Sequence, residues 1–422
     1  MERVLDFARR LIPTSIFKRL QAPYHYLLAV LGAIFYRFPS RKLTVVAVTG
    51  TKGKTTVTEL VSAILEAAGH RTAVSNTVRF KIGEVSERNL YKMSMPGRFF
   101  IQRFLRRAIS AGCDYAVIEI TSEAARLYRH KFIALDTLIF TNLAPEHIES
   151  HGSYEKYLEA KLSIGKALAK SNKERRIIVA NADDKESGKF LALDVPEKYY
   201  YSLTDAQPYS LTSTGIDFSF CGQTIRSPLS GQFNLYNILA ATTFAKTQNI
   251  EIGTIKKALE NFSGVPGRVE RISAGQDFTV IVDYAHTPDS LEKLYDVFQN
   301  SRRICVLGNT GGGRDKWKRP EMAKIAQRHC DEIILANEDP YDEDPLAIID
   351  DMKKVITEKP VRVIVDRREA IHEALKLAKT GDVVLITGKG TDPYIMGAKG
   401  DKIPWSDAEV AKEEIGKLII NT

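Results

Sequence analysis

Leu43-Thr44-Val45-Val46-Ala47-Val48-Thr49-Gly50-Thr51-Lys52-Gly53-Lys54-Thr55-Thr56 decides the fold. Residues 43–48 are a short β-rich run that ends in a glycine-bounded loop. From Thr55 to Ala68 the apolar spacing is helical, and Gly69 is a natural residue to end that helix. The stretch therefore predicts a strand, a loop and a helix in that order. The glycines let backbone N–H groups turn inward around phosphate oxygens, and the helix N-terminus adds its partial positive charge. Lys54 can reach the terminal phosphates of a nucleotide, and the Thr55 hydroxyl can hold magnesium. The generic phosphate-loop pattern is imperfect, because its first glycine is missing, but the strand–loop–helix setting supports it.

Outward from the loop the pattern repeats. Tyr115–Ile120, Thr137–Phe140 and Arg176–Ala180 read as buried strands separated by helical spacing. Strands alternating with helices imply an α/β fold with a mostly parallel sheet covered on both faces. Residues 198–228, rich in Tyr, Ser, Thr and Phe with turns at Gly215 and Gly222, read as a small antiparallel sub-sheet. Residues 231–246 are helical again, and Val265-Pro266-Gly267 reads as a hinge. Beyond it a second, Rossmann-like α/β unit is expected, with strands at Phe278–Val282, Arg303–Leu307, Glu332–Ala336, Val361–Val365 and Val383–Thr387. The expected domains are a helical N-terminal segment at 1–42, an ATP-binding domain at 43–264 and a C-terminal domain at 265–422.

Composition agrees with this. Of the 422 residues 44% are hydrophobic and 27% charged, which excludes a disordered chain or a fibre. The net charge of +8 suits an anionic small substrate. Aromatics are not interleaved with basic clusters, so nucleic acid is not the expected partner. Cys113, Cys221, Cys305 and Cys330 form no C-x-x-C pair, so the sequence indicates neither a zinc ribbon nor a disulfide framework, and a reduced, cytoplasmic setting is expected. Residues 1–42 hold eight basic residues (Arg3, Arg9, Arg10, Lys18, Arg19, Arg37, Arg41, Lys42) against Glu2 and Asp6. The apolar run Tyr26 to Tyr36 inside them is too short to span a bilayer. It reads either as a helix packed on the body of the protein or as a basic amphipathic segment in peripheral contact with a membrane.

Glu119 ends a buried strand. Ligands gather at the carboxyl ends of parallel strands, and a magnesium ion there wants oxygen ligands.

The ordered set of motifs resembles the Mur ligases, ATP-dependent amide-forming enzymes of peptidoglycan precursor synthesis, and most nearly their MurE-type tripeptide synthetases. The loop Thr49–Thr56 resembles the family's G-T-N-G-K-T-T with Lys52 for Asn. Glu119-Ile120-Thr121-Ser122 resembles E-V-S-S. Thr141-Asn142-Leu143-Ala144-Pro145-Glu146-His147 resembles T-N-L-x-x-D-H with Glu146 for Asp. Tyr157-Leu158-Glu159-Ala160-Lys161 resembles the segment whose lysine is carbamylated. Gly231-Gln232-Phe233-Asn234-Leu235-Tyr236-Asn237, Val265-Pro266-Gly267-Arg268, Asp283-Tyr284-Ala285-His286-Thr287-Pro288-Asp289, Gly311-Gly312-Gly313-Arg314-Asp315 and Lys318-Arg319-Pro320 continue the series. The motifs keep the family's order from residue 43 towards the C-terminus.

The resemblance implies a reaction. A carboxylate attacks the γ-phosphate of ATP, and an amine opens the resulting acyl phosphate through a tetrahedral state. It implies that Gly50, Thr51, Lys52, Gly53, Lys54, Thr55, Thr56 and Asn142 cradle the nucleotide. Asn237 would bond adenine, Arg268 would meet the γ-phosphate when the domains close, and Asp283 would contact the nucleotide. Thr55, Glu119, His147 and carbamylated Lys161 would serve magnesium. Ser94, Ser122 and Arg129 would face a UDP-N-acetylmuramoyl-peptide. His286, Arg314 and Lys318 would face the amino-acid or acyl-phosphate side. The family's D-N-P-R motif for diaminopimelate here reads Glu338-Asp339-Pro340-Tyr341, which lacks the arginine, and its G-K-G-H-E reads Gly388-Lys389-Gly390-Thr391-Asp392. With Asp342, Glu343 and Asp344 nearby, a pocket preferring a free basic amino acid is expected. The clearest departure is that only residues 1–42 precede the loop, where MurE-type enzymes place a UDP-binding domain. The rival readings are a folylpolyglutamate synthase, a MurT-type amidating subunit or a non-catalytic nucleotide-binding scaffold.

Overall fold

The computed structural model describes residues 14–146, 151–313 and 315–420. The chain divides into two compact units, residues 1–206 with 236–259, and residues 207–235 with 260–422.

In the first unit, helix α1 (Thr14–Phe35) precedes β1 (Thr44–Thr49) and α2 (Lys54–Ala67). There follow β2 (Thr72–Ser75), β3 (Arg79–Ile82), β4 (Val85–Arg88), α3 (Arg98–Ser110) and β5 (Tyr115–Glu119). Then come β6 (Thr137–Phe140), α4 (Tyr154–Ala169), β7 (Ile177–Asn181) and β8 (Glu197–Tyr201). The sheet order is β4-β3-β2-β5-β1-β6-β7-β8, parallel from β2 to β8. β1 lies between β5 and β6, so the loops after these three strands open at one edge of the sheet. The strands read as unbroken apolar runs because both faces are covered. Val45, Ala47, Ile118 and Phe140 join a core with α3 and α4, while their neighbours Val46, Val48, Val117 and Ile139 are equally buried.

In the second unit, β9 (Tyr209–Thr212), β10 (Gly215–Phe220) and β11 (Gln223–Ser227) form a separate antiparallel sheet. Helix α5 (Gln232–Thr247) has residues in both units. A six-stranded sheet follows, built from β12 (Glu270–Ile272), β13 (Thr279–Asp283), β14 (Arg303–Leu307), β15 (Glu332–Leu335), β16 (Val361–Val363) and β17 (Val383–Thr387). Its order is β12-β13-β17-β14-β15-β16, and only β12 is antiparallel. Helices α6 (Pro288–Val297) and α7 (Lys318–His329) supply Leu291, Leu294, Met322 and Ala326 to the core on one face. Ala370, Ile371 and Val410 close the other.

Two expectations are corrected. Residues 198–201, read as part of the antiparallel sub-sheet, belong to β8, which pairs in parallel with β7 as the edge of the main sheet. Its Tyr-rich run looks antiparallel because an edge strand is half exposed and loses the apolar signature of a central one. Cys305 and Cys330, expected to be unpaired, form a disulfide between β14 and the residue after α7. Both are fully buried. A helix that returns along its strand brings together cysteines 25 positions apart, which spacing along the chain does not show.

Candidate active site at the carboxyl ends of β1, β5 and β6

Gly50 and Gly53 shape the loop after β1. Both have positive φ, +152° and +84°. A Cβ on Gly50 would fall 1.9 Å from Thr141 Oγ1, and one on Gly53 would fall 2.2 Å from Asn237 Oδ1. Only glycine fits such approaches. The Thr51 N–H donates to the Asn142 carbonyl at 2.8 Å. The Lys52 N–H donates to Asn142 Oδ1 at 2.9 Å, and Asn142 Nδ2 donates back to the Lys52 carbonyl at 3.1 Å. Thr141 Oγ1 donates to the same carbonyl at 2.7 Å. The loop is thus clamped by the end of β6. Lys54 Nζ bends back to the Thr51 carbonyl at 2.8 Å.

Glu119, 2% exposed, stands beside the start of α2. It accepts from Thr55 Oγ1 at 2.9 Å, from the Thr77 N–H at 3.0 Å and from Thr77 Oγ1 at 3.0 Å. Thr55 and Glu119 offer adjacent oxygens, the donor type that magnesium requires. Among the described residues no group of three His, Cys, Asp or Glu could hold a metal. The described oxygen donors that fit magnesium are the Thr55 hydroxyl and the Glu119 carboxylate. His147 lies outside the described residues.

Lys161 is 1% exposed on α4 and donates to the Gly50 carbonyl at 2.6 Å. Burial, reinforced by the charge of Lys54, holds its amine well below the ordinary lysine range. The ring of Tyr157 lies under its nitrogen, and the Tyr157 hydroxyl meets Thr51 Oγ1 at 2.9 Å. Asn237 comes from α5 against Gly53.

A second cluster adjoins this loop. Ser122 Oγ lies 3.1 Å from His151 Nε2, and the His151 ring packs edge-on against Tyr157. Arg129 Nη1 donates to the Met95 carbonyl at 2.6 Å, next to the buried hydroxyl of Ser94, which has no partner. Arg98 Nη2 returns the contact to the Leu127 carbonyl at 2.5 Å. Burial and the neighbouring Arg129 push Arg98 down to about 10. Arg129 is thus held beside Ser94, and Ser122 beside His151. Thr77, His151 and Arg98 were missed by sequence reasoning. They contact their partners across 42, 29 and 29 residues, and they stand outside the quoted motifs.

In the second unit, Arg268 stacks over Tyr284 at 4.3 Å. Asp283 accepts from the Val269 N–H at 2.7 Å and the Ala285 N–H at 2.6 Å, so its carboxylate holds the loop after β13. His286 Nδ1 pairs with the Tyr284 carbonyl at 2.7 Å. Lys318 is paired with Asp315, and Arg314 lies outside the described residues.

The acids expected to form the amino-acid pocket have these partners. Asp339 binds Lys389 at 2.7 Å, and Asp392 lies 3.5 Å from the same ammonium. Asp342 accepts from the Lys399 N–H at 2.7 Å. Glu343 binds Arg319 and the Gly313 N–H, and this backbone bond and the neighbouring cations hold it down to about 2. Asp344 accepts from the Leu346 N–H at 3.0 Å, capping the helix Pro345–Lys353. Glu338 is different. Its Oε1 accepts from Thr310 at 3.0 Å, its Oε2 is buried without a partner, and burial pushes it up to about 7. Asp339 and Asp392 thus share one ammonium, while Asp342, Glu343 and Asp344 are held by other partners.

Comparisons with known proteins agree with the motif series. Residues 48–245 match the Mur ligase middle domain, and residues 267–390 match the Mur ligase glutamate ligase domain. A UDP-N-acetylmuramoyl-L-alanyl-D-glutamate–2,6-diaminopimelate ligase of Syntrophomonas wolfei is 39% identical over 92% of this chain and 81% of its own length. A UDP-N-acetylmuramyl-tripeptide synthetase of Roseiflexus is 40% identical over 93% of this chain and 82% of its own. A solved UDP-N-acetylmuramoyl-L-alanyl-D-glutamate–2,6-diaminopimelate ligase is 27% identical with a TM-score of 0.63, over 89% of this chain and 79% of that one. With the phosphate loop, the Glu119 carboxylate and the buried lysine in one site, the chain belongs to the Mur ligase family of ATP-dependent, ADP-forming ligases.

Proposed function

We propose that this protein joins a free amino acid to a UDP-N-acetylmuramoyl-peptide, with ATP and Mg2+, in the cytoplasm. The observation that carries the reading is the convergence of Lys54, Thr55, Glu119 and Lys161 on the loop after β1. Lys54 and the loop N–H groups bind the β- and γ-phosphates of ATP. Magnesium, when bound, offsets charge crowding between the triphosphate and the attacking carboxylate. Thr55 and Glu119 would hold it, and Thr77 keeps Glu119 in place. Burial lowers the Lys161 pKa and so favours the neutral amine, the form that adds CO2, and we assign it a carbamate that serves the magnesium side of the site. Ser94, Ser122 and Arg129 bind the acidic muramoyl-peptide. We assign Asn237 to adenine, and Arg268 and Asp283 to nucleotide contacts.

For the amino acid, we favour a basic side chain over meso-diaminopimelate. Tyr341 stands where an arginine would grip a second carboxylate, and a tyrosine cannot make that bidentate, charge-assisted contact. Competition between lysine and diaminopimelate at equal concentration tests this part by itself. A clear preference for diaminopimelate would overturn it.

The test of the function is ADP release. We expect ADP only when Mg2+, a UDP-N-acetylmuramoyl-peptide and an amino acid are all present. ADP release that is indifferent to the muramoyl-peptide would sink the reading. A folate-dependent release would assign the chain to the folylpolyglutamate branch instead.

A further inference from the structure

Helix α1 carries its apolar residues on the wrong side for a helix packed on a body. Ala29, Gly32 and Ala33 are buried, and a Cβ on Gly32 would fall 3.5 Å from the Arg98 carbonyl oxygen and from the Phe99 ring at the start of α3. Small residues let the two backbones approach. The large residues face out. Tyr24, Leu27, Leu31, Ile34 and Phe35 are each between 43% and 70% exposed. At 3.6 residues per turn they fall within an arc of about 100°, opposite the alanines. The Phe35 and Tyr36 rings continue the stripe to Phe99, itself exposed. No charged residue occurs between Arg19 and Arg37.

The surroundings are basic. Arg37, Arg41 and Lys42 follow the stripe and are exposed. α3 contributes Arg98, Arg103, Arg106 and Arg107 and contains no acid. Residues 1–42 carry the eight cations and two acids noted above. α1 contains Pro23, and no described helix is long and apolar enough to cross a membrane. An exposed apolar stripe with a cationic rim, on a helix that does not span, is the pattern of a helix lying in a membrane interface. A second copy of the chain would set one basic rim against another, so charge disfavours it as the occupant.

We propose that this face of α1 docks the protein on an anionic lipid surface, with Tyr24, Leu27, Leu31, Ile34 and Phe35 entering the headgroup boundary and Arg37, Arg41 and Lys42 meeting lipid phosphates. This is independent of the ligase reading, and either can fail alone. The test is flotation of the full chain, without substrates, with vesicles of equal phosphatidylglycerol and phosphatidylcholine, and with vesicles of phosphatidylcholine alone. The expected result is co-flotation with the anionic vesicles, weakened by salt. Leu27→Glu with Leu31→Glu should abolish it. Arg41→Gln with Lys42→Gln should weaken it by about 30-fold, since each cation near an anionic surface contributes a factor of about five. Unchanged thermal unfolding midpoints check that these exposed substitutions leave the fold intact. Failure to float with anionic vesicles, or equal binding to both vesicle types, overturns the proposal. A dimer in solution that Leu31→Glu dissociates overturns it too, and assigns the stripe to a second copy.

Discussion

Lys52 Nζ lies 3.0 Å from Glu146 Oε1, an ion pair that ties the phosphate loop to the segment after β6. These are the two positions at which the loop and the T-N-L-x-x-D-H segment depart from the Mur pattern. The departures compensate one another: a lysine enters the loop, and a longer acid reaches it. The carboxylate is nearly buried, while the lysine is a third exposed. Removing the lysine therefore leaves the less tolerable charge behind.

Lys52→Ala should cost more nucleotide affinity and stability than the double variant Lys52→Asn with Glu146→Asp, which restores the pattern found in the resemblance. A double-mutant cycle should give a coupling of about 0.5–2 kcal/mol, near the low end because Lys52 is partly solvated. Additive effects of the two single changes would show that the pair is not coupled.

Lys54→Ala should lower the rate of ADP formation by about 10²–10³-fold, the usual consequence of removing a positioned charge from a phosphoryl-transfer site. Stopped assays of ADP with saturating ATP check this. Near-normal turnover would remove Lys54 from the chemistry.

Carbamylation of Lys161 should appear as a carbamate carbon signal in the protein equilibrated with ¹³C-labelled bicarbonate, and should be absent in Lys161→Ala. That variant should keep ATP binding and lose the chemical step. An enzyme of full activity in CO2-free buffer, with no carbamate signal, would count against it.

Thr77→Val deletes a hydroxyl bond to Glu119 but keeps the Thr77 N–H contact. We expect the Mg2+ concentration for half-maximal activity to rise by about 10-fold, the usual effect of loosening a residue behind a metal ligand. A magnesium titration of both proteins measures it, and coincident curves would refute the assignment.

Glu338→Gln should make stability less sensitive to pH. Burial raises the Glu338 carboxyl from 4.5 to about 7, so the folded state keeps a proton that the unfolded chain releases. Stability from this group is complete below about pH 4.5 and is lost as pH rises towards 7. Glutamine keeps the acceptor for Thr310 without the charge. The variant should gain on the order of 1–3 kcal/mol relative to the parent at pH 8, and that gain should vanish at pH 4.5. Chemical denaturation at the two pH values is the measurement, and a constant difference would contradict it.

Local order along the chain carried the phosphate loop. Gly50, Gly53, Lys54 and Thr55 lie within six residues, and a strand–loop–helix turn needs no distant partner to be recognised. The central strands were legible for a related reason: burial on both faces leaves continuous apolar runs, as in Tyr115–Glu119 and Val383–Thr387. The edge strand Glu197–Tyr201 was misread because it faces solvent, and its composition then no longer reports its partner. Folding alone decided which groups meet: Thr77 with Glu119, His151 with Ser122, Lys389 with Asp339, Cys305 with Cys330. It also decided that the large apolar side chains of α1 face outward, because a helix of that spacing can bury either side and the close approach of Gly32 to α3 selects the small one. Side-chain period and turn chemistry act over a few residues and survive in the sequence. Hydrogen-bond direction, charge pairing and the choice of buried face depend on neighbours brought in from tens of residues away, so they exist only once the chain is folded.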